Sequence, residues 1–318
     1  MVCATAEALT ASAASEMWIA MEKTRFAGLR CIPRRTMPEL PEVEVLRRHL
    51  APLLLGRTIA AVHVERERVI RPTRPADLSR ALLGASITGV GRRGKYLLFE
   101  LRKGDQHPRL LGHLGMTGRM FLQDIHEPSP PHTAVHLDLG SDRFIYQDPR
   151  AFGRFTLDLR SLERLGPEPL SDGFQPDAFA RALRQSRQAI KVKLLDQTLV
   201  TGIGNIYASE ALHRAGISPR KSARRLRTAE CARLHRAIRA VLEEAITCGC
   251  ALPLDFSGTG SGDGLFYYGS ATAREGAGEE RLRVYDRENE PCITCGTPVR
   301  RIVQATRSTF YCPACQRG

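Results

Sequence analysis

The sequence has no long apolar run. Its apolar runs are short, such as Leu53-Leu54-Leu55, and none approaches the ~18–20 residues that a membrane-spanning helix needs. Acidic charge is scarce: 34 Asp and Glu stand against 47 Lys and Arg, a formal net charge of +13. An excess of that size points to a polyanionic partner, nucleic acid or an acidic membrane surface. The nine cysteines do not pair evenly. Four close the chain as two CxxC pairs, whereas Cys3, Cys31, Cys231, Cys248 and Cys250 are scattered. That pattern excludes a secreted disulfide framework and fits a metal site plus free thiols in a reducing, cytoplasmic compartment. The first 36 residues show no secretory pattern either, because their basic residues follow Met21 and no apolar stretch comes after them. No internal repeat is present. With 42% hydrophobic and 25% charged residues, the chain is globular. Its 318 residues suit two or three domains.

Residues 1–37 carry little pattern and end on Met37. They are expected to be an extension left by a mis-assigned start, or a segment removed from the mature chain. Glu7, Glu16 and Glu22 argue against an organellar targeting peptide, which is poor in acids. From Pro38 onward the pattern sharpens. Pro41 fits a first helical turn, and Val43, Leu46, Leu50 and Leu54 recur at helical spacing up to Gly56. Apolar, β-branched segments follow at 58–64, 87–90, 96–101, 109–114, 119–122, 133–139, 143–146 and 155–159, separated by Gly, Pro and charged turns. They predict an antiparallel sandwich or barrel over 38–164. The Pro- and Gly-bearing stretch 165–177 reads as a linker. Helices are expected at 177–185, 190–197, 205–215 and 228–247, the last with Thr228 as N-cap. They form a helical domain over 178–258. A glycine-rich, mobile loop over 259–283 precedes a cysteine module over 284–318. The fold class is α+β and multi-domain.

Two motifs carry chemistry. Cys292, Cys295, Cys312 and Cys315 form two CxxC knuckles around a segment suited to a β-hairpin. Four thiolates suit one tetrahedral Zn²⁺, and with no position left for water the ion is structural. Arg300, Arg301 and Arg307 on that hairpin make either a phosphate-contacting arm or a solvated face. The second motif is Met37-Pro-Glu-Leu-Pro-Glu-Val-Glu44. Acids at a helix start are common, because they complement the helix dipole. If Met37 is the initiator and is removed, Pro38 gains a free secondary amine, and an α-amino group with a pKa near ~8 is an available nucleophile at neutral pH. Attack on a sugar C1′ gives an iminium ion, which acidifies the neighbouring C–H and permits elimination of the 3′ phosphate. Glu39 stands beside it as a proton carrier.

The spelling Pro38-Glu-Leu-Pro-Glu-Val-Glu44 resembles the start of the bacterial formamidopyrimidine-DNA glycosylase family. Further matches follow in family order: Arg92-Arg-Gly-Lys-Tyr-Leu-Leu98, His113-Leu-Gly-Met-Thr-Gly118, Asp148-Pro-Arg-Ala-Phe-Gly153, Leu165-Gly-Pro-Glu-Pro-Leu170, Gly202-Ile-Gly-Asn-Ile-Tyr-Ala-Ser-Glu210 and Arg307-Ser-Thr-Phe-Tyr-Cys312. The resemblance runs from Met37 to the C-terminus. It implies an N-terminal helix with a catalytic β-sandwich, a helix–two-turn–helix DNA-binding domain and a C-terminal zinc finger. It also implies a bifunctional base-excision enzyme, an N-glycosylase and abasic-site lyase acting on oxidised purines in duplex DNA, chemistry for which a monomer suffices and is expected.

By that resemblance Pro38 is the Schiff-base nucleophile and Glu39 the acid that assists base release and ring opening. Lys95 donates a proton in β-elimination and contacts phosphate, and Arg307 assists δ-elimination. Glu42 sits beside the site. Asn205 clamps a backbone phosphate, with Gly202 and Gly204 giving close approach. Met116, Arg150 and Phe152 fill the gap left by the flipped base, with Arg150 suited to an orphaned cytosine. Taken without the family, Met116 and Phe152 read as core packing. His113 and His132 resemble further DNA contacts; Ser186 stands where the family usually carries a basic residue, and Arg187 and Lys191 are expected to compensate as DNA contacts.

Two departures bear on function. The segment between Phe256 and Val284 is longer than the usual family loop, which closes over the flipped base. The extension, if retained, turns the Pro38 nitrogen into an amide with no nucleophilic lone pair. Two alternatives follow: an oxidised-pyrimidine glycosylase of the same superfamily, disfavoured by Leu40 where such relatives usually carry Gly, and a non-catalytic damaged-DNA-binding module.

Overall fold

The computed structural model describes residues 37–250 and 282–317. The expectations for the extension, and for all but the end of the glycine-rich loop, lie outside the described residues. Helix α1 (Leu40–Leu54) is the first element of the described residues and has Pro41 in its first turn, where the missing N–H costs no hydrogen bond. Leu46, Leu50 and Leu54 are fully buried on one face, each contributing roughly 1.5–3 kcal/mol. Behind them two antiparallel sheets form the expected sandwich. One has the order β1 (Ala61–Val64), β6 (Thr133–Asp138), β7 (Asp142–Gln147), β5 (Arg119–Asp124); the other runs β2 (Ser86–Arg93), β3 (Tyr96–Arg102), β4 (Arg109–His113), β8 (Arg154–Thr156). Alternate residues of each strand fill the gap between the sheets, and the rings of Phe99, Phe144, Tyr146 and Phe155 meet there.

Two short helices went unpredicted, α2 (Pro75–Leu82) and α3 (Arg160–Glu163). The first had a usable signal: Pro75 in its first turn and buried Leu78 and Leu82 four residues apart. Stretch 165–177 is tied down rather than loose. Glu168 within it accepts hydrogen bonds from Arg92 (2.9 Å), Arg93 (3.1 Å) and the Gly94 amide (2.5 Å).

The second half contains α4 (Pro176–Arg184), α5 (Ile190–Leu194), α6 (Asn205–Ala215) and α7 (Thr228–Cys250). Thr228 is the first residue of α7 rather than its N-cap. Glu230 reaches back to the Arg227 amide at 2.8 Å, so Arg227 takes the cap position, and Thr228 Oγ1 accepts instead from Arg184. Gly216 ends α6 in the left-handed conformation (φ 65°), where a Cβ is disfavoured. The hairpin β9 (Arg300–Gln304) and β10 (Arg307–Tyr311) shares one apolar core with these helices through Val299, Phe310 and Cys312. Leu40 belongs to that core as well, so the first helix is anchored in both halves of the protein.

Candidate active site and zinc finger

Pro38 is buried and Glu39 is only 3% exposed. The Glu39 carboxylate accepts hydrogen bonds from the backbone N–H groups of Gly204 (2.8 Å), Ile206 (2.9 Å) and Tyr207 (3.3 Å). These are the otherwise unpaired donors at the start of α6, where the helix dipole also favours a negative group. Glu42 accepts from the Glu39 amide at 2.7 Å and from the Tyr207 hydroxyl at 2.5 Å. Burial, and then the charge of Glu39, push Glu42 up to about 7 despite those two donors.

Lys95 lies in the turn between β2 and β3. Burial lowers its pKa, Glu39 and Glu42 oppose that shift, and Arg307 adds to it. A Cβ on Gly204 would lie 2.4 Å from Glu39 Cδ and 2.7 Å from Lys95 Nζ, and one on Gly202 would lie 2.5 Å from Leu40 Cδ1. The close approach these glycines permit is therefore to the start of α1 and to Lys95, not only to a phosphate as the sequence suggested. Arg307 opens β10 and is exposed. Its turn residues Ala305 and Thr306 both have positive φ (46° and 63°), as a two-residue hairpin turn requires. For β-branched Thr306 that conformation is strained.

The structure thus gathers Pro38, Glu39 and Lys95 and brings Arg307 within their electrostatic reach. Asn205, first in α6, donates from Nδ2 to the Ser308 carbonyl at 2.9 Å and accepts from Lys191 Nζ at 2.7 Å. Lys191 is wholly buried. Burial pulls its pKa down to about 8, with Glu39 raising it and Arg307 lowering it further. Its contacts hold Asn205 against the hairpin. Arg187 is exposed and stands apart from this cluster.

A second cluster forms around Phe152, which is 44% exposed. The Arg150 guanidinium lies over its ring at 4.4 Å, and Arg150 Nη1 is 3.7 Å from Met116 Sδ. Core packing is therefore not the role of Met116 or Phe152. Asp148, fully buried, holds both supporting loops: it accepts from Thr117 Oγ1 (2.6 Å), the Gly153 amide (2.8 Å) and the Arg150 amide (3.2 Å). Sequence reasoning missed Asp148 as a structural centre, and it missed two arginines that brace the loop. Arg68 lies 5.7 Å from the Phe152 ring centroid. Arg66 contacts His132 Nδ1 at 2.8 Å and the Pro149 carbonyl at 3.2 Å. His132 adopts a left-handed φ of 66° and joins this cluster rather than the one around Glu39. His113 accepts at Nδ1 from the Gly115 amide (3.1 Å). Burial first, then Lys95 and Arg154, push it down to about 4, so it is neutral at pH 7 and its proton sits on Nε2.

The ligand sulfurs of Cys292, Cys295, Cys312 and Cys315 all lie within 4.8 Å of one another. Their closest approaches are 3.4, 3.5 and 3.9 Å, against the ~3.8 Å edge of a tetrahedron with Zn–S bonds of about 2.3 Å. The donor set fits one structural zinc ion. His213 places Nε2 3.4 Å from Cys292 Sγ, and an Nε2–H there would donate to the thiolate. Nothing in the sequence singled that histidine out.

A β-sandwich, a helix–two-turn–helix unit and a four-cysteine finger, meeting at a buried acid, a desolvated lysine and an exposed arginine, define a zinc-finger DNA glycosylase. The chain belongs to the formamidopyrimidine-DNA glycosylase family. Its N-terminal domain model matches residues 37–155, its H2TH domain model 165–252, and the zinc finger found in FPG and IleRS matches 289–318. The formamidopyrimidine-DNA glycosylases of Thiobacillus denitrificans and Thermus thermophilus are 42% and 44% identical over 287 residues. Each match covers 88% of this chain, with 100% and 98% of the respective relative. A Lactococcus lactis Fpg crystallised with DNA containing N7-benzyl-Fapy-dG superposes with a TM-score of 0.75 at 34% identity, covering 88% of this chain and all of that one. Among the described residues, no helix is long and apolar enough to cross a membrane.

Proposed function

We propose that the protein excises oxidised purines, 8-oxoguanine and formamidopyrimidines, from duplex DNA and then cleaves the strand at the abasic site. The amine of Pro38 adds to C1′ of the damaged nucleoside, and the base leaves with a proton. Glu39 is the group adjacent to Pro38 that carries protons in base release and ring opening. Loss of a C2′ proton from the resulting iminium expels the 3′ phosphate. Lys95 donates the proton in that first elimination, and a second elimination expels the 5′ phosphate with Arg307 assisting and holding the phosphate. Met116, Arg150 and Phe152 occupy the space of the extruded base, and His113, His132, Asn205 and Arg187 line the DNA backbone. Lys191 acts by holding Asn205.

The observation that carries this reading is the placement of Glu39 and Lys95 around the Gly204 backbone, beside Pro38. A surface that only bound DNA would have no use for a buried acid and a desolvated lysine next to a secondary amine. The chemistry requires that amine to be free, and the family match begins at residue 37. We therefore assign residues 1–37 to a segment absent from the active enzyme, which acts as a monomer in the cytosol. Side-by-side incision of duplexes containing 8-oxoguanine:C and thymine glycol:A tests the substrate class. Preferential nicking of the first is expected, and preference for the second would move the enzyme to oxidised pyrimidines.

A further inference from the structure

The outer face of sheet β1–β6–β7–β5 carries side chains that the chemistry above does not use. His63 on edge strand β1 and His136 on β6 are directly opposed in the antiparallel ladder, and their rings stack with centroids 4.3 Å apart. Asp138 follows His136 by two residues and so shares its face; Asp138 Oδ2 is 3.5 Å from His63 Nε2. One ligand atom from each of the three lies within 4.8 Å of the others. His136 is 7% exposed, and its Nδ1 is buried with no hydrogen-bond partner among the described residues, a costly condition for a polar atom. The His63 side chain is 45% exposed, which leaves the group open to solvent on one side. Arg143 donates to Asp138 Oδ1 at 2.9 Å. That contact leaves Oδ2 toward His63, and the arginine's charge weakens the hold on a cation without occupying its place.

We infer that His63, His136 and Asp138 form a second metal site, separate from the cysteine finger, for a first-row divalent transition ion such as Zn²⁺. Two imidazoles and one carboxylate suit zinc, cobalt, nickel or copper, whereas magnesium and calcium require oxygen-rich sets. The sheet hydrogen bonds fix the spacing of the donors before any ion arrives. Three protein ligands leave a coordination position for water, which the four-cysteine site lacks. A bound ion ties β1 to β6. β1 leads into Arg66 and Arg68, and His132 immediately precedes β6, so the ion pins the base of the segments that brace the Phe152 loop.

The test is zinc content per chain, measured by plasma mass spectrometry after dialysis of the full protein against Zn²⁺ and gel filtration. Two zinc ions per wild-type chain and one per His63→Ala/His136→Ala chain are expected. Co²⁺ titration of protein holding one zinc, in the cysteine finger, and not dialysed against further Zn²⁺ adds a second readout. It should give d–d bands without sulfur charge transfer, and the half-exposed variant His63→Ala, whose fold is checked by circular dichroism, should weaken Co²⁺ binding at least tenfold. A wild-type chain holding one zinc would overturn the inference, as would a second ion that the double variant retains.

Discussion

The backbone N–H of Gly204 donates to the Glu39 carboxylate at 2.8 Å, so one hydrogen bond joins the start of α1 to the start of α6. Its geometry leaves no space for a side chain at 204. In Gly204→Ala the new Cβ would sit 2.4 Å from Glu39 Cδ and 2.7 Å from Lys95 Nζ, and one or both must move. A shift near 1 Å in catalytic groups costs on the order of 10²-fold in rate. Single-turnover incision should fall by about that factor, while binding to an uncleavable abasic-site analogue changes far less. Equal loss of both would mean that Gly204 serves binding alone.

The pH dependence of stability separates two neighbouring acids. Glu42 is raised from 4.5 to about 7 by burial and by Glu39, so the folded state holds its proton more tightly than the unfolded chain. Its contribution is full below pH 4.5 and lost as pH rises through about 7. For Glu44, burial acts to raise the pKa, but hydrogen bonds from Arg47, Arg48 and Arg92 overcome it and bring the group to about 2. Its contribution is full above 4.5 and disappears as pH falls toward about 2. Urea unfolding across this range should show Glu42→Gln flattening the neutral limb and Glu44→Gln flattening the acid limb. If either variant keeps the wild-type slope on its limb, the assignment for that acid is wrong.

Much of this was legible in the sequence for physical reasons. The CxxC pairs, the strand alternation and the 3.6-residue spacing of α1 are local patterns, and local patterns survive without coordinates. What escaped depends on contacts between distant segments. Asp148 reads as one acid in a turn until Thr117 and Gly153 are seen to bond to it. Lys191 reads as a DNA contact, yet the fold buries it against Asn205 and Thr309. Gly202 and Gly204 read as points of close approach to a phosphate, whereas the approach the fold displays is to Leu40, Glu39 and Lys95, segments distant in sequence.

Removal of zinc should reach beyond the finger. Val299 and Phe310 lie in the same core as Leu212 and Leu234, and losing their burial costs about 3–6 kcal/mol at the usual value per large apolar side chain. Chelation should lower the melting temperature of the helical half and abolish incision by releasing Arg307, and zinc should restore both. An unchanged melting temperature with retained incision would show that the hairpin docks without its metal.

Arg150 is exposed and, among the described residues, its guanidinium touches Phe152 and Met116 alone, so Arg150→Ala should leave the melting temperature unchanged. A base-reading contact is worth about 1–3 kcal/mol. The preference for cytosine over adenine opposite the lesion should therefore fall roughly tenfold or more, seen as a ratio of incision rates. A uniform fall opposite every base would assign Arg150 to backbone binding.

The central claim is that Pro38 attacks the sugar. Protein expressed from its native start region is incubated with an 8-oxoguanine:C duplex, reduced with borohydride and digested, and the cross-linked peptide is identified by mass spectrometry. The account predicts an adduct on an N-terminal Pro38. Lesion binding with no adduct, in a chain still carrying residues 1–36, would contradict it and leave a protein that recognises damage without cutting DNA.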